Sequence, residues 1–317
     1  MLPSPPMLAI FRIALFPVLP MALFGPLLSG TPARAASPSP INVVVTIPVL
    51  KDLTEQIGGQ RVHVTSLLNG YENEHTYSPK PSDLVAVRKA TVLFEVGLGL
   101  EVWVASLVKN AGGPSLMVVT TSTGVSLIRD HSEPDGSAAD DHHHEGGGNP
   151  HIWMDPESVS TMVRHITDAL SKLDPAHAAE FRQNQTAYVR QLDALRKDLS
   201  DRVNRLPDRR FVAHHPAWPY LARRFGFDIV ATIQSQSGTE PSALQLQSLI
   251  SKIKHDRIKV IVSEIQLSQR IPDLLAREAG GRVVVLTTLP GGLPGTETYL
   301  DMLRYNVLQL VNALEAA

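Results

Sequence analysis

Residues 176–206 read AHAAEFRQNQTAYVRQLDALRKDLSDRVNRL, with no glycine or proline inside. Phe181, Tyr188, Leu192, Leu195, Leu199, Val203 and Leu206 fall three, four or seven positions apart, which puts them on one stripe of a single helix. About 30 residues at a rise of 1.5 Å make a rod of roughly 45 Å, enough to cross a whole domain. Such a rod is either an ordinary core helix or a connector. A new series of strands and helices begins directly after it, so the pattern predicts a rigid helix joining two lobes. Asp174-Pro175 supplies the capping residue and the proline that open it.

On the N-terminal side, short β-branched runs predict strands at 41–47, 62–68, 91–96 and 116–120, with helices at 50–57, 82–89, 101–110 and 156–173. Asp155 caps the last of these, with Pro156 at its first position. On the C-terminal side, strands are predicted at 210–213, 228–232, 259–263 and 282–286. Helices are predicted at 217–225, 241–254, 271–279 and 298–314. Strands that alternate with helices specify a parallel α/β sheet in each half. The two halves share too little residue identity to read as a sequence repeat.

The ends and the composition set the compartment. Arg12 is the one early charge, an apolar run follows at 13–28, and Ala33-Arg34-Ala35 has the small-x-small form of a signal peptidase site. Residues 1–35 are therefore expected to be a cleaved signal peptide, with residues 36–174 forming the first lobe, 175–206 the linking helix and 207–317 the second lobe. The alternative reading of the apolar run, a membrane anchor, is weakened by Pro17, Pro20 and Pro26. The chain has no cysteine, so disulfides, thiolate zinc sites and a lipid-modified cysteine are excluded, and any metal must be held by nitrogen and oxygen. A net charge of −2 gives no reason to expect nucleic acid as a partner.

The chemistry-bearing residues are histidines. Residues 131–148 form a His-rich loop that holds Asp140, Asp141, His142, His143, His144 and Glu145, followed by Gly146-Gly147-Gly148. Next comes Asn149-Pro150-His151-Ile152-Trp153-Met154-Asp155-Pro156, an ordered anchor carrying one imidazole. Parallel sheets bind ligands beyond the carboxyl ends of their strands. His75 lies in the loop after the second strand, His151 after the fourth, and His214 and His215 directly after the first strand of the second half. Three loops thus offer imidazoles to one cleft. His214 and His215 are adjacent, so only one of them is expected to face it. A single loop histidine is usually just solvated. Here Glu74-His75-Thr76-Tyr77 and Pro150-His151-Ile152-Trp153 set each ring beside bulky neighbours that can hold it.

These stretches resemble the zinc and manganese solute-binding proteins of ABC importers, the ZnuA-like receptors. Glu74-His75-Thr76-Tyr77-Ser78-Pro79 with Pro81-Ser82-Asp83-Leu84 carries the resemblance, as do Asn149 to Pro156, His215-Pro216-Ala217-Trp218-Pro219-Tyr220 and Thr298-Tyr299-Leu300-Asp301-Met302-Leu303 with Asn306. The resemblance implies two Rossmann-like lobes with parallel sheets joined by a long rigid helix, with the metal in the inter-lobe cleft. By position it implies His75, His151 and His215 as metal ligands and selects His215 over His214. Many relatives add an aspartate after the last strand. The matching segment here, Leu286-Thr287-Thr288-Leu289-Pro290-Gly291-Gly292, has no carboxylate. Glu74 is then the first candidate for the fourth position and water the second, while Glu264 reads as a structural carboxylate at a sheet end.

Three imidazoles with at most one carboxylate suit zinc, since manganese prefers more oxygen. The expected site is tetrahedral Zn2+ at about 2.0–2.1 Å from nitrogen. The expected function is a monomeric periplasmic receptor that captures Zn2+ and delivers it to an inner-membrane ABC permease with a cytoplasmic ATPase. Capture is expected to displace protons from the histidines, so acid weakens it. Alternatives are a manganese receptor of the same family, a periplasmic zinc chaperone or adhesin, and a zinc hydrolase. The chain has no His-Glu-x-x-His helix and no G-x-S-x-G elbow, which argues against catalysis. The His-rich loop reads as a low-affinity collector, a sensor of zinc excess or a solvated linker.

Overall fold

The computed structural model describes residues 1–2, 4, 39–112, 115–129, 148–234 and 239–317. The chain divides into compact units Met1–Pro38 and Ser39–Ala317, and the architecture that follows is that of the second. The signal-peptide reading falls almost wholly outside the described residues, and the His-rich loop 131–148 lies outside them except for Gly148.

The first half runs β1 (Ile41–Val45), α1 (Pro48–Gly58), β2 (Val62–Ser66), α2 (Pro81–Lys89), β3 (Val92–Glu95), α3 (Val104–Ala111), β4 (Met117–Thr120) and α4 (Pro156–Leu173). After α5 (Ala178–Val203) the second half runs β5 (Arg210–Ala213), α6 (Pro219–Phe225), β6 (Asp228–Thr232), α7 (Ala243–Asp256), β7 (Val260–Glu264), α8 (Arg270–Ala279), β8 (Arg282–Leu286) and α9 (Tyr299–Glu315). The strands form two four-stranded parallel sheets, ordered β2-β1-β3-β4 and β6-β5-β7-β8. The two orders are the same, so the halves repeat in topology although their sequences do not. Each sheet reverses its winding beside its first strand, and a crevice opens there at the carboxyl ends. His215 follows β5 by two residues and Glu264 ends β7, so both stand at the switch point of the second sheet.

Strand composition follows burial. Val43, Val44 and Val45 of β1 and all five residues of β7 are buried, as expected for central strands covered on both faces. His63 on the edge strand β2 points to solvent, as its alternation predicts.

Helix α5 buries Phe181, Tyr188, Leu192, Leu195, Leu199 and Val203, the stripe read from the sequence. It packs against α1 and α4 of the first half and α9 of the second. Each large apolar side chain removed from water contributes roughly 1.5–3 kcal/mol. Asn184 on its flank donates to the Ile57 carbonyl at 2.9 Å, satisfying an acceptor in the last turn of α1. The helix begins with a 3-10 turn at Pro175–His177 and is somewhat shorter than predicted. One apolar core runs through both halves: Val43, Leu50, Met162, Leu192, Phe211, Trp218 and Leu303 all belong to it.

Backbone contacts also tie the halves together. Gln266 Nε2 donates to the Gly70 carbonyl at 2.7 Å, and the Tyr299 amide donates to Asp52 Oδ2 at 2.9 Å. Gly70 has φ +99°, and a Cβ there would lie 2.6 Å from the Pro290 carbonyl oxygen. Only glycine admits that conformation and that approach. Gly70→Ala is therefore expected to lower unfolding stability by roughly 1–3 kcal/mol, measured by urea denaturation. An alanine variant as stable as the parent would mean the two loops separate without cost.

Candidate metal centre

Three loops deliver three rings. In the first, Asn73 Oδ1 accepts the His75 amide at 2.9 Å, an Asx turn that fixes where the imidazole leaves the chain. Trp103 Nε1 donates to the Glu74 carbonyl at 3.2 Å and holds the same loop from α3's side. In the second, residues Ile152–Met154 form a 3-10 turn whose side chains are all buried, and Asp155 caps α4 by accepting from Glu157 N at 2.9 Å. Trp153 Nε1 donates to the Thr288 carbonyl at 2.7 Å, and Tyr299 Oη donates to the Trp153 carbonyl at 2.8 Å. These bonds anchor a first-half loop on the second half. In the third, His215 leaves β5 just before Pro219 starts α6.

The rings of His75, His151 and His215 converge edge to face, with centroids 5.0, 5.4 and 4.8 Å apart. One ligand atom from each lies within 4.8 Å of the other two. His75 Nε2 and His151 Nε2 are 3.1 Å apart. Two nitrogens on one tetrahedral zinc stand about 3.3 Å apart, given bonds of about 2.0–2.1 Å. Three points no more than 4.8 Å apart share a centre within about 2.8 Å of each, so closing on an ion needs under about 1 Å of movement per ring. Among the described residues, this is the group of histidine and acidic side chains whose donor atoms converge. His214 turns the other way: its Nδ1 pairs with Ser263 Oγ at 2.9 Å.

The hydrogen-bond network fixes the His151 tautomer. Asn149 Oδ1 accepts the His151 amide at 3.0 Å, and Asn149 Nδ2 donates to the Pro216 carbonyl. Both partners are of known polarity, so the side-chain amide has one possible orientation. The same Oδ1 lies 2.9 Å from His151 Nδ1, which must then carry the proton. The lone pair is left on Nε2, the nitrogen that faces His75.

Burial keeps the imidazoles neutral. It pushes His75 down to about 4 and His215 to about 3, with the neighbouring His75 and His214 adding to the effect on His215. His151, 1% exposed, goes well below its ordinary value through burial and then through His215 and His75. At neutral pH each imidazole therefore keeps one ring N–H and has no second proton for a metal to displace, contrary to the expectation that capture displaces protons from the histidines.

Burial shifts the neighbouring carboxyls the opposite way, towards their protonated forms. Burial raises Glu74 to about 7, with Glu101 adding repulsion, and raises Glu101 to about 7. Glu264 rises to about 8 through burial, with Glu74 adding to it. Glu74 Oε1 lies 3.8 Å from His151 Nε2, and the Glu74 carboxyl is also bonded to Thr288. Thr288 stands two residues after the end of β8. Glu264 accepts from Trp218 Nε1 through Oε1, while its buried Oε2 has no hydrogen-bond partner. That oxygen is 3.7 Å from His214 Nδ1, and Oε1 is 4.0 Å from His215 Nδ1. Glu264 thus stands against the His214-His215 loop at the carboxyl end of β7. The sequence reading passed over two residues here, Glu101 and the orienting role of Asn149. A signal for the latter was present: asparagine stands two residues before both His75 and His151.

Comparison with known proteins gives this constellation a context. Residues 43–313 match the family described as ZnuA, zinc-uptake complex component A, periplasmic. The chain belongs to that family. A manganese-binding lipoprotein, MntA, of Halalkalibacterium halodurans is 29% identical over 86% of this chain and 88% of its own. The high-affinity zinc uptake system protein ZnuA of Bacillus subtilis is 28% identical over the same shares of the two chains. A crystal structure of ZnuA superposes with a TM-score of 0.76 at 27% identity, covering 87% of this chain and all of the other. Family members so named differ in their metal, so membership leaves the ion to be argued from the donors.

Proposed function

We propose that the protein is a periplasmic Zn2+ receptor that captures the ion between its two sheets and hands it to an inner-membrane ABC permease driven by a cytoplasmic ATPase. The observation that carries this reading is the convergence of His75, His151 and His215 from three loops and both halves. The three imidazoles bind through nitrogen, Glu74 takes the fourth position, and a water takes it where Glu74 stays protonated. Residues 36–174 and 207–317 act as lobes about the helix 175–206, and the chain works as a monomer after its leader is removed near Ala35. The ion is cargo and no bond of another substrate is made or broken.

Zinc is favoured by the donor set, three borderline nitrogens and one oxygen. The bonds between the halves limit opening to small tilts and loop movements. The zinc relative supports this choice, and the manganese relative supplies the competing one. The deciding experiment is elemental analysis of the mature protein with competition titrations of zinc against manganese. Zinc is expected to be retained and to displace manganese stoichiometrically. A protein that keeps manganese in the presence of equimolar zinc is the manganese receptor instead. The tract at 140–145 is proposed as a low-affinity collector. Deleting 135–147 is expected to leave the affinity of the cleft unchanged and to slow growth of zinc-starved cells. Unchanged growth would assign the tract no collecting role under those conditions.

A further inference from the structure

We infer that Asn149 is a positioning residue that couples two ligand loops through one side-chain amide, its oxygen holding the His151 ring and its nitrogen holding the His215 loop. The inference rests on the reading of the three histidines as the zinc site. Asn149 is 3% exposed and every polar atom it has is used. Its amide donates to the Ile128 carbonyl at 2.8 Å, and its carbonyl accepts from Tyr220 Oη at 2.8 Å. Its Oδ1 takes both the amide and Nδ1 of His151, and its Nδ2 reaches the Pro216 carbonyl, one residue beyond His215.

The comparison with Asn73 isolates what is special. Asn73 has the same spacing to His75 and makes the same turn. The described hydrogen bonds show it bonded neither to the His75 ring nor to the second half. Asn149 does both. His151 and His215 lie 64 residues apart, on opposite sides of α5 in the chain, yet a shift of one loop pulls on the amide that orients the other. A ring whose far nitrogen is held binds metal more tightly, because its lone pair is already aimed. A loop tied to that same amide is slower to leave. Asparagine is the side chain that supplies both halves at this length: aspartate keeps the acceptor and sets an oxygen against the Pro216 carbonyl, and alanine keeps neither.

The two halves separate by mutation. Asn149→Ala, Asn149→Asp and the parent are compared by zinc affinity against a chelator, zinc release rate, the visible absorption of the Co2+-loaded protein, and thermal melting without metal. Asn149→Ala is expected to lose about 10–100-fold in affinity and to alter the Co2+ bands, because His151 is no longer oriented. Asn149→Asp is expected to keep the parent's Co2+ bands while releasing zinc several-fold faster. Parent release from Asn149→Asp, or parent affinity and Co2+ bands in Asn149→Ala, overturns the coupling. So does a loss of melting temperature in both variants with zinc binding unchanged. A parent chain that takes up no zinc overturns the receptor reading as well, whereas a zinc-binding parent with indifferent variants overturns this inference alone.

Discussion

His151→Ala is expected to abolish high-affinity zinc binding, with a loss of more than a hundredfold. Structural zinc sites with four ligands bind with roughly 10–16 kcal/mol, so one ligand accounts for about 3 kcal/mol, and 1.4 kcal/mol is tenfold. His151 should cost the most of the three for a geometric reason. Its Nδ1 is held by Asn149, so its Nε2 lone pair is aimed before the ion arrives. It is also nearly fully buried, so a replacing water must leave bulk solvent to take its place. His75 is only half-buried, and His75→Ala admits a water ligand more readily. The order of loss expected in a chelator competition is His151 first, with His75 the mildest, and His214→Ala within a few-fold of the parent because its ring faces Ser263. If His151→Ala and His214→Ala bind zinc equally well, the three-ring site is wrong.

The stability of the metal-free protein is expected to peak near pH 6–6.5 and fall towards pH 8, and zinc should reverse that fall. His75, His151, His214 and His215 all have folded values below the ordinary 6.5. Between their folded values and 6.5 the unfolded chain binds more protons, so stability drops as pH falls through that window. Glu74 and Glu101 at about 7 and Glu264 at about 8 have the opposite sign. Their contribution is complete below the unfolded value of 4.5 and is lost as pH rises towards 7 and 8. From 4.5 to 6.5 the two sets oppose each other. From about 6.5 upward the folded carboxyls hold more protons than the unfolded histidines do, and above about 7.5 only the carboxylates act. Each group contributes up to about 1.4 kcal/mol per pH unit while it titrates. A dication beside Glu74 and Glu264 stabilises their charged forms, so the gain from zinc should grow from pH 6.5 to 8. Urea denaturation at pH 5, 6, 7 and 8 with and without zinc measures both limbs. Metal-free stability that is flat or rising from 6.5 to 8 would contradict the burial of these carboxylates.

Much of the architecture was legible because it is written in local periodicity. The strands at 210–213, 228–232 and 282–286 and the helix at 156–173 lie where alternation, proline and capping aspartate put them. The stripe on residues 181–203 is buried as its spacing requires. The loop positions of His75, His151 and His215 followed from the strand order, and the choice of His215 over His214 from the family motif. What stayed hidden depends on partners far away in the chain. Nothing near Asn149 in sequence reveals Pro216, and nothing near Gly70 reveals Gln266 or Pro290.

The amino-acid sequence by itself therefore determined the alternation of strands and helices, the long helix between two series, and three histidines on loops at one end of parallel strands. Periodicity and capping act over a few residues, so they can be read without the fold. Only the tertiary structure decided that both halves share one core, that His151 carries its proton on Nδ1, and that Glu74, Glu101 and Glu264 are buried and raised. Desolvation and hydrogen-bond polarity are set by what the folded chain brings alongside a group, and two four-stranded sheets closing on each other bring residues more than 60 positions apart to the same ring.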